Sequence, residues 1–116
     1  IYSLGIYPDW WKLEPTTDAA AWAASEAAIL RHDPLCRGIV LLGLSAPQDE
    51  VLAGIVAAAA FPLVKGFAVG RTIFHDVAQQ WLTGAIDDEA AIAALGANLR
   101  VLADGWRAAR RAKVAA

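Results

Sequence analysis

Three residues of this chain could take part directly in covalent or anion chemistry, and each is expected near the end of a strand. Lys12 and Glu14 lie two positions apart in D-W-W-K-L-E-P (residues 9–15), and Arg71 follows Gly70 in G-F-A-V-G-R-T. The neutral amine of a lysine in a site that restricts water is a nucleophile that condenses with carbonyl groups. A guanidinium beside a glycine offers a planar pair of donors to a phosphate that approaches the backbone. The sequence therefore indicates imine chemistry and anion binding.

Glu14 has two interpretations. Strand alternation puts Trp10, Lys12 and Glu14 on one face and the two residues between them on the other. Glu14 could form a structural ion pair with Lys12, or it could carry protons during imine formation. Arg71 also has two interpretations, because a tight turn followed by a surface arginine would have the same sequence as an anion-binding site. Spacing alone does not choose between these alternatives.

Further donors are expected where the second strand ends. Gly43 and Ser45 follow the apolar run G-I-V-L-L-G-L and could supply backbone or hydroxyl donors to the anion bound at Gly70 and Arg71. Ser45 could equally be an ordinary helix N-cap, because serine is a favoured residue at that position. His75 lies in the first turns after Arg71, where a surface role and a substrate contact are both open.

The two histidines and the single cysteine of this chain form no obvious metal centre. Neither histidine, His32 or His75, has a second histidine or cysteine at metal-ligand spacing. The single cysteine, Cys36, excludes an intrachain disulfide and a cysteine-based zinc site. We therefore expect no metal and no cofactor, and the cysteine usage is typical of a reducing cytoplasm.

The elements that would position these residues alternate regularly. Residues 10–14, 38–44 and 64–70 have strand character and predict three strands. The last two segments are almost wholly apolar, which is typical of parallel strands buried on both faces. The stretches between and after them have helical patterns, so the sequence predicts an α/β fold with a parallel sheet. A doubly wound sheet and a (β/α)8 barrel share this order, and a barrel needs about 250 residues. The 116 residues would then hold its last three units.

The three strand motifs, together with W-R-A-A-R near the end, resemble a known domain. It is the C-terminal domain often fused to 5-dehydro-2-deoxygluconokinase in bacterial myo-inositol catabolism, and it is similar to class I aldolases of the tagatose-bisphosphate type. Those aldolases are (β/α)8 TIM barrels. The resemblance implies that residues 1–116 are a C-terminal fragment of one such domain, holding strands 6–8. A chain that begins at Ile1 rather than at methionine fits this expectation.

The resemblance also implies roles for individual residues. Lys12 matches the lysine that forms the Schiff base, with Glu14 in the K-x-E motif, and Gly70-Arg71 matches the pair that grips the substrate phosphate. Gly43 and Ser45 match only after a shift of register. The implied reaction is the retro-aldol cleavage of 2-deoxy-5-keto-D-gluconate 6-phosphate into dihydroxyacetone phosphate and malonate semialdehyde, without a metal.

A different function fits the same residues. The domain could be a non-catalytic sugar-phosphate-binding module that supports or regulates the attached kinase, in which case Arg71 matters and Lys12 forms no bond. A fragment of three strands would be inactive alone. The expected partners are a phosphorylated keto sugar acid, the N-terminal remainder of the barrel and a kinase domain.

Charge and composition indicate which other classes of partner are expected. The net charge of −2 and the absence of a basic aromatic stripe argue against nucleic acid. No apolar run approaches the roughly 20 residues that cross a bilayer, so we expect a cytoplasmic protein without a membrane anchor. Hydrophobic residues make up 58% of the chain, which predicts that some apolar surface contacts a partner, and a homo-oligomer is open.

Overall fold

Strands and helices alternate along the chain, and the last two helices follow each other with no strand between them. In this computed structural model, which describes residues 1–115, a short 3-10 helix (Tyr2–Leu4) precedes the regular elements. The strands are β1 (Trp10–Leu13), β2 (Gly38–Leu41) and β3 (Val64–Phe67), and the helices are α1 (Ala19–His32), α2 (Gln48–Ala58), α3 (Arg71–Leu82) and α4 (Asp88–Ala115).

The sheet is parallel and has the order β1-β2-β3. Trp10 lies opposite Gly38 and Leu13 opposite Leu41, and the pairing of β2 with β3 is shifted between Ile39 and Val40. The parallel strands agree with the sequence pattern. The prediction of a (β/α)8-barrel segment is wrong, because residues 1–115 form an open sheet of three four-residue strands in which β1 and β3 are both edges.

The strands end earlier than the sequence predicted. Glu14 lies outside β1, and β2 stops at Leu41 because the chain turns at Leu44 and Ser45, whose φ angles are 49° and 64°. Positive φ is uncommon for residues other than glycine, so this turn is conformationally costly. The N-cap position of α2 is Pro47 and no side chain caps the helix, so the interpretation of Ser45 as its N-cap is wrong.

The core lies between the sheet and the helices. Trp11 and Leu13 pack against it, whereas Trp10 and Lys12 are exposed, which confirms the alternation predicted for this strand. The indole N–H of Trp22 donates to the Thr16 carbonyl at 2.9 Å, so this large side chain is buried without an unpaired polar atom. The central cluster draws its side chains from three helices and two strands: Trp22, Ile29, Ile39, Leu41, Val51, Ile55, Ala58, Val64 and Leu102.

The long helix α4 packs against both α2 and α3. A Cβ added at Gly105 would lie 2.3 Å from Leu52 Cδ1, so glycine lets α4 approach α2 without displacing the Leu52 side chain. Two basic residues near the end of α4 form hydrogen bonds to the end of another helix. Arg110 and Lys113 donate to the carbonyls of Ala59 and Ala60, which lie just after α2. Cationic donors at a helix C-terminus satisfy carbonyl groups that have no partner within the helix.

Candidate functional site

Five of the six predicted site residues line one cavity at the carboxyl ends of the strands. They are Lys12, Gly43, Ser45, Gly70 and Arg71, and the cavity has a volume of about 320 Å3. The turn after β2 brings Gly43 and Ser45 there, and the start of α3 brings Gly70 and Arg71. Apolar contacts complete the wall: Leu42, Leu44, Ala68 and Phe74. One lysine, one arginine and one hydroxyl group therefore share an otherwise largely apolar lining.

Lys12 enters the cavity from the sheet face that the helices leave uncovered. It pairs in register with Val40 of the central strand, so its backbone is held on one side by the ladder. Its side chain is exposed. Among residues 1–115 the ion pairs are Arg37 with Asp9 and Arg107 with Asp104, so the ammonium of Lys12 is not held by a carboxylate.

Glu14 lies apart from this cavity. It lines a neighbouring one of about 140 Å3, together with Pro15 and Glu50. Gly43 and Leu44 are common to both cavities and form the wall between them. The structural ion pair between Lys12 and Glu14 is therefore not present among residues 1–115, and the two side chains line different cavities.

Gly43 is where the turn after β2 meets the start of α3. A Cβ at this position would lie 2.8 Å from Val69 Cγ1 and 2.9 Å from Thr72 Oγ1, which is closer than side-chain atoms approach. The hydroxyl of Thr72 donates to the Ala46 carbonyl at 3.0 Å and joins the same two segments. The segments that follow β2 and β3 and carry the expected donors can therefore lie close together. Gly43 has no side chain to separate them, and one hydrogen bond joins them.

The N-terminus of α3 adds positive character beside Arg71. Gly70 is the N-cap residue, and no side chain caps the helix. The N–H groups of Ile73 and Phe74 donate to the Gly70 carbonyl, at 2.8 and 3.1 Å. Helix N-termini carry partial positive charge and favour anions. Arg71 is therefore a cation at the positive end of a helix dipole.

A second, polar cavity of about 430 Å3 continues from the first on the other side of Arg71. Ser45 and Arg71 belong to both cavities, and His75 lies in the second one. The amide of Gln48 donates to the Asn98 carbonyl at 2.9 Å, and the amide of Asn98 donates to the Ile73 carbonyl at 2.8 Å. These bonds fix α2, α3 and α4 to one another around the cavity.

Sequence reasoning did not find Phe74, Gln48 or Asn98. Phe74 lines the Lys12 cavity and also an apolar cavity between α3 and α4. Asn98 reaches the site from the middle of α4, 50 residues from its partner Gln48. No local pattern marks such a residue, because its position depends on how α4 packs. No group of three or more His, Cys, Asp and Glu side chains within residues 1–115 is placed to hold a metal ion.

The fold and the cavity define a small α/β protein with a parallel three-stranded sheet and a cationic site at the strand ends. Residues 1–110 match the family model described as "Uncharacterized protein conserved in bacteria (DUF2090)", and the chain belongs to this family. Neither the curated proteins nor the solved structures contain a match. Of the helices between residues 1 and 115, none combines the length and the apolar character needed to span a bilayer.

Proposed function

We propose that this protein carries a class I aldolase site for a phosphorylated keto sugar acid. Lys12 and Arg71 line the same cavity, which is the observation that carries this proposal. A nucleophilic amine and an anion-binding guanidinium are the two groups that a Schiff-base aldolase needs for a phosphosugar. The resemblance of the strand motifs supports 2-deoxy-5-keto-D-gluconate 6-phosphate as the substrate.

Each residue then has a chemical task. The Lys12 amine adds to the ketone carbon and the oxygen leaves as water, which gives a protonated imine. The imine accepts the electron pair of the breaking carbon–carbon bond while the hydroxyl on the neighbouring fragment loses its proton to a base. Malonate semialdehyde leaves first and an enamine remains on Lys12. A proton added to the enamine carbon restores the imine, and water then hydrolyses the imine and releases dihydroxyacetone phosphate. Arg71, the Gly70 backbone and Ser45 bind the phosphate, and Glu14 exchanges protons with the site past Gly43.

The proposed metabolic pathway and cellular compartment follow from the same substrate. A phosphorylated sugar acid is made by a kinase, and the resemblance supports fusion to 5-dehydro-2-deoxygluconokinase in myo-inositol catabolism. We propose the cytoplasm as the compartment, because phosphorylated sugars are made there and Cys36 is a free thiol.

One observation favours a second function, a non-catalytic sugar-phosphate-binding module. Lys12 is exposed, and Glu14 lines a different cavity from Lys12. A lysine nucleophile works in a site that restricts water, and an exposed side chain does not meet that requirement. Under this alternative Arg71 still binds phosphate, and the module supports the attached kinase without forming a covalent bond.

Borohydride reduction separates the two functions, because it converts an imine into a stable amine. The full-length protein is mixed with 2-deoxy-5-keto-D-gluconate 6-phosphate, reduced, digested and measured by mass spectrometry. We expect an adduct on Lys12 in the wild-type protein and in Lys65→Arg, and none in Lys12→Met. Lys65 is the matched control, because it is an exposed lysine of β3 whose ammonium donates to the Pro62 carbonyl at 2.8 Å.

The other outcomes are equally informative. Saturable binding of the phosphosugar without an adduct on Lys12 would reject the aldolase and support the binding module. An adduct that persists in Lys12→Met would assign the imine to another lysine. The absence of both binding and adduct would reject both functions.

A further inference from the structure

Helix α4 has a second apolar stripe beside the face that packs into the core. Its buried face includes Ala91 and Leu102. Ile92, Gly96, Leu99 and Ala103 are spaced by three or four residues, which places them together along another side of the helix. Ile92 is 71% exposed and Leu99 47% exposed. Large apolar side chains grouped on an exposed surface mark an interaction site.

Gly96 lies in the middle of this stripe, and no contact among residues 1–115 requires a glycine there. Glycine inside a helix costs about 1 kcal/mol relative to alanine. At Gly105 of the same helix the close contact with Leu52 accounts for the glycine. A Cβ at Gly96 would meet only the guanidinium of Arg100, at 3.6 Å or more. A glycine that no contact within the described residues requires is suited to the close approach of another backbone from outside.

The charged residues along the stripe indicate what approaches. Glu89 lies seven residues before Gly96, and Arg100 lies four residues after it. Both are exposed, and neither belongs to an ion pair among residues 1–115. If a second copy of α4 ran antiparallel and crossed at Gly96, Glu89 would lie within one turn of Arg100 of the partner subunit. Ile92 would lie against Leu99 of the partner subunit.

We propose that the protein forms a two-fold symmetric dimer through antiparallel pairing of two α4 helices that cross at Gly96. The stripe is self-complementary because apolar residues flank the glycine on both sides while the acid and the base lie at opposite ends. A two-fold axis makes each contact twice, and two-fold dimers are the commonest protein oligomers. The pairing also covers Ile92 at the mouth of the apolar cavity between α3 and α4, which measures about 450 Å3.

Substitution at the crossing point tests this interface. We expect light scattering and sedimentation of the purified protein to show a dimer, and Gly96→Gln to raise its dissociation constant about tenfold or more because a long side chain separates the helices. Glutamine is a better helix former than glycine, so Gly96→Gln does not weaken the fold. Ala97→Gln is the control, since Ala97 is exposed and points away from the stripe.

Charge reversal gives an independent measurement of orientation. Glu89→Arg and Arg100→Glu should each weaken the dimer, and the double variant should recover most of the lost affinity, because the pair is restored with its signs exchanged. A wild-type protein that is monomeric at all concentrations overturns the proposal. So does a dimer that Gly96→Gln leaves intact. A dimer that Gly96→Gln disrupts but the double charge variant does not restore overturns the antiparallel arrangement.

Discussion

At the scale of the residue, the two cations of the cavity have different requirements. Lys12 needs a carbonyl within reach and a site that restricts water, and its backbone is held by the register of β1 against β2. Arg71 needs orientation, because a guanidinium recognises phosphate through parallel N–H donors. Arg71, like Ser45, lines both the Lys12 cavity and the polar cavity, so it can contact an anion bound in either one.

Replacing Arg71 by lysine tests whether its planar donors matter. An ammonium keeps the charge but loses the bidentate geometry, so we expect Arg71→Lys to weaken binding of the phosphosugar about tenfold and Arg71→Ala more strongly. Isothermal titration calorimetry measures the change. Arg37→Lys serves as the control, because Arg37 is an exposed arginine whose partner is Asp9. Equal affinities for wild type and Arg71→Ala would remove Arg71 from the binding site.

At the scale of the element, the segment ends are fixed by side chains from distant helices. The Leu63 N–H, just before β3, donates to the carboxylate of Glu26 in α1. The carbonyls after α2 accept from Arg110 and Lys113 of α4. Asp18, in contrast, caps its own helix by accepting from Ala20 N–H at 2.8 Å. An aspartate just before a helical pattern is a local signal for a cap, whereas no local pattern marks a cap supplied by another element.

The bond from Leu63 to Glu26 should contribute measurably to stability. Glu26→Ala leaves a partly buried backbone N–H without an acceptor, so we expect the free energy of unfolding to fall by about 1–3 kcal/mol. Glu26→Gln keeps an acceptor oxygen and should cost less. Urea denaturation followed by circular dichroism provides both values. If the two variants were equally stable, the hydrogen bond would not be the cause.

At the scale of the whole molecule, one apolar cluster extends from Trp22 in α1 to Leu102 in α4. The final helix is therefore part of the folding unit, since its buried face belongs to the same core as the sheet. Gly105 and the Asn98 amide join α4 to α2 and α3 at further points. Stability and site geometry should depend together on α4.

Truncating Leu102 tests this dependence. The side chain is fully buried, so Leu102→Ala should lower the free energy of unfolding by about 2–5 kcal/mol through lost burial and the cavity that remains. Val101→Ala, at a neighbouring position that is 44% exposed, should have little effect. Thermal and urea denaturation give the comparison. A small loss for Leu102→Ala would mean that α4 is only loosely attached to the core.

The amino-acid sequence determined the order of strands and helices, because apolar runs and helical periodicity report which side chains must leave water. It also predicted which face of β1 carries Lys12, because alternation is a property of extended backbone. Such patterns do not decide whether parallel strands close into a barrel or form an open sheet, and the barrel segment expected by resemblance was wrong.

Only the tertiary structure decided what surrounds the predicted residues. It brought Lys12 into one cavity with Arg71 and put Glu14 in another, because the chain leaves β1 before Glu14 and turns at Leu44 and Ser45. It also placed Asn98 beside α2 and left Ile92 and Leu99 exposed. Distances between residues far apart in sequence follow from packing among all the elements, which no local pattern contains.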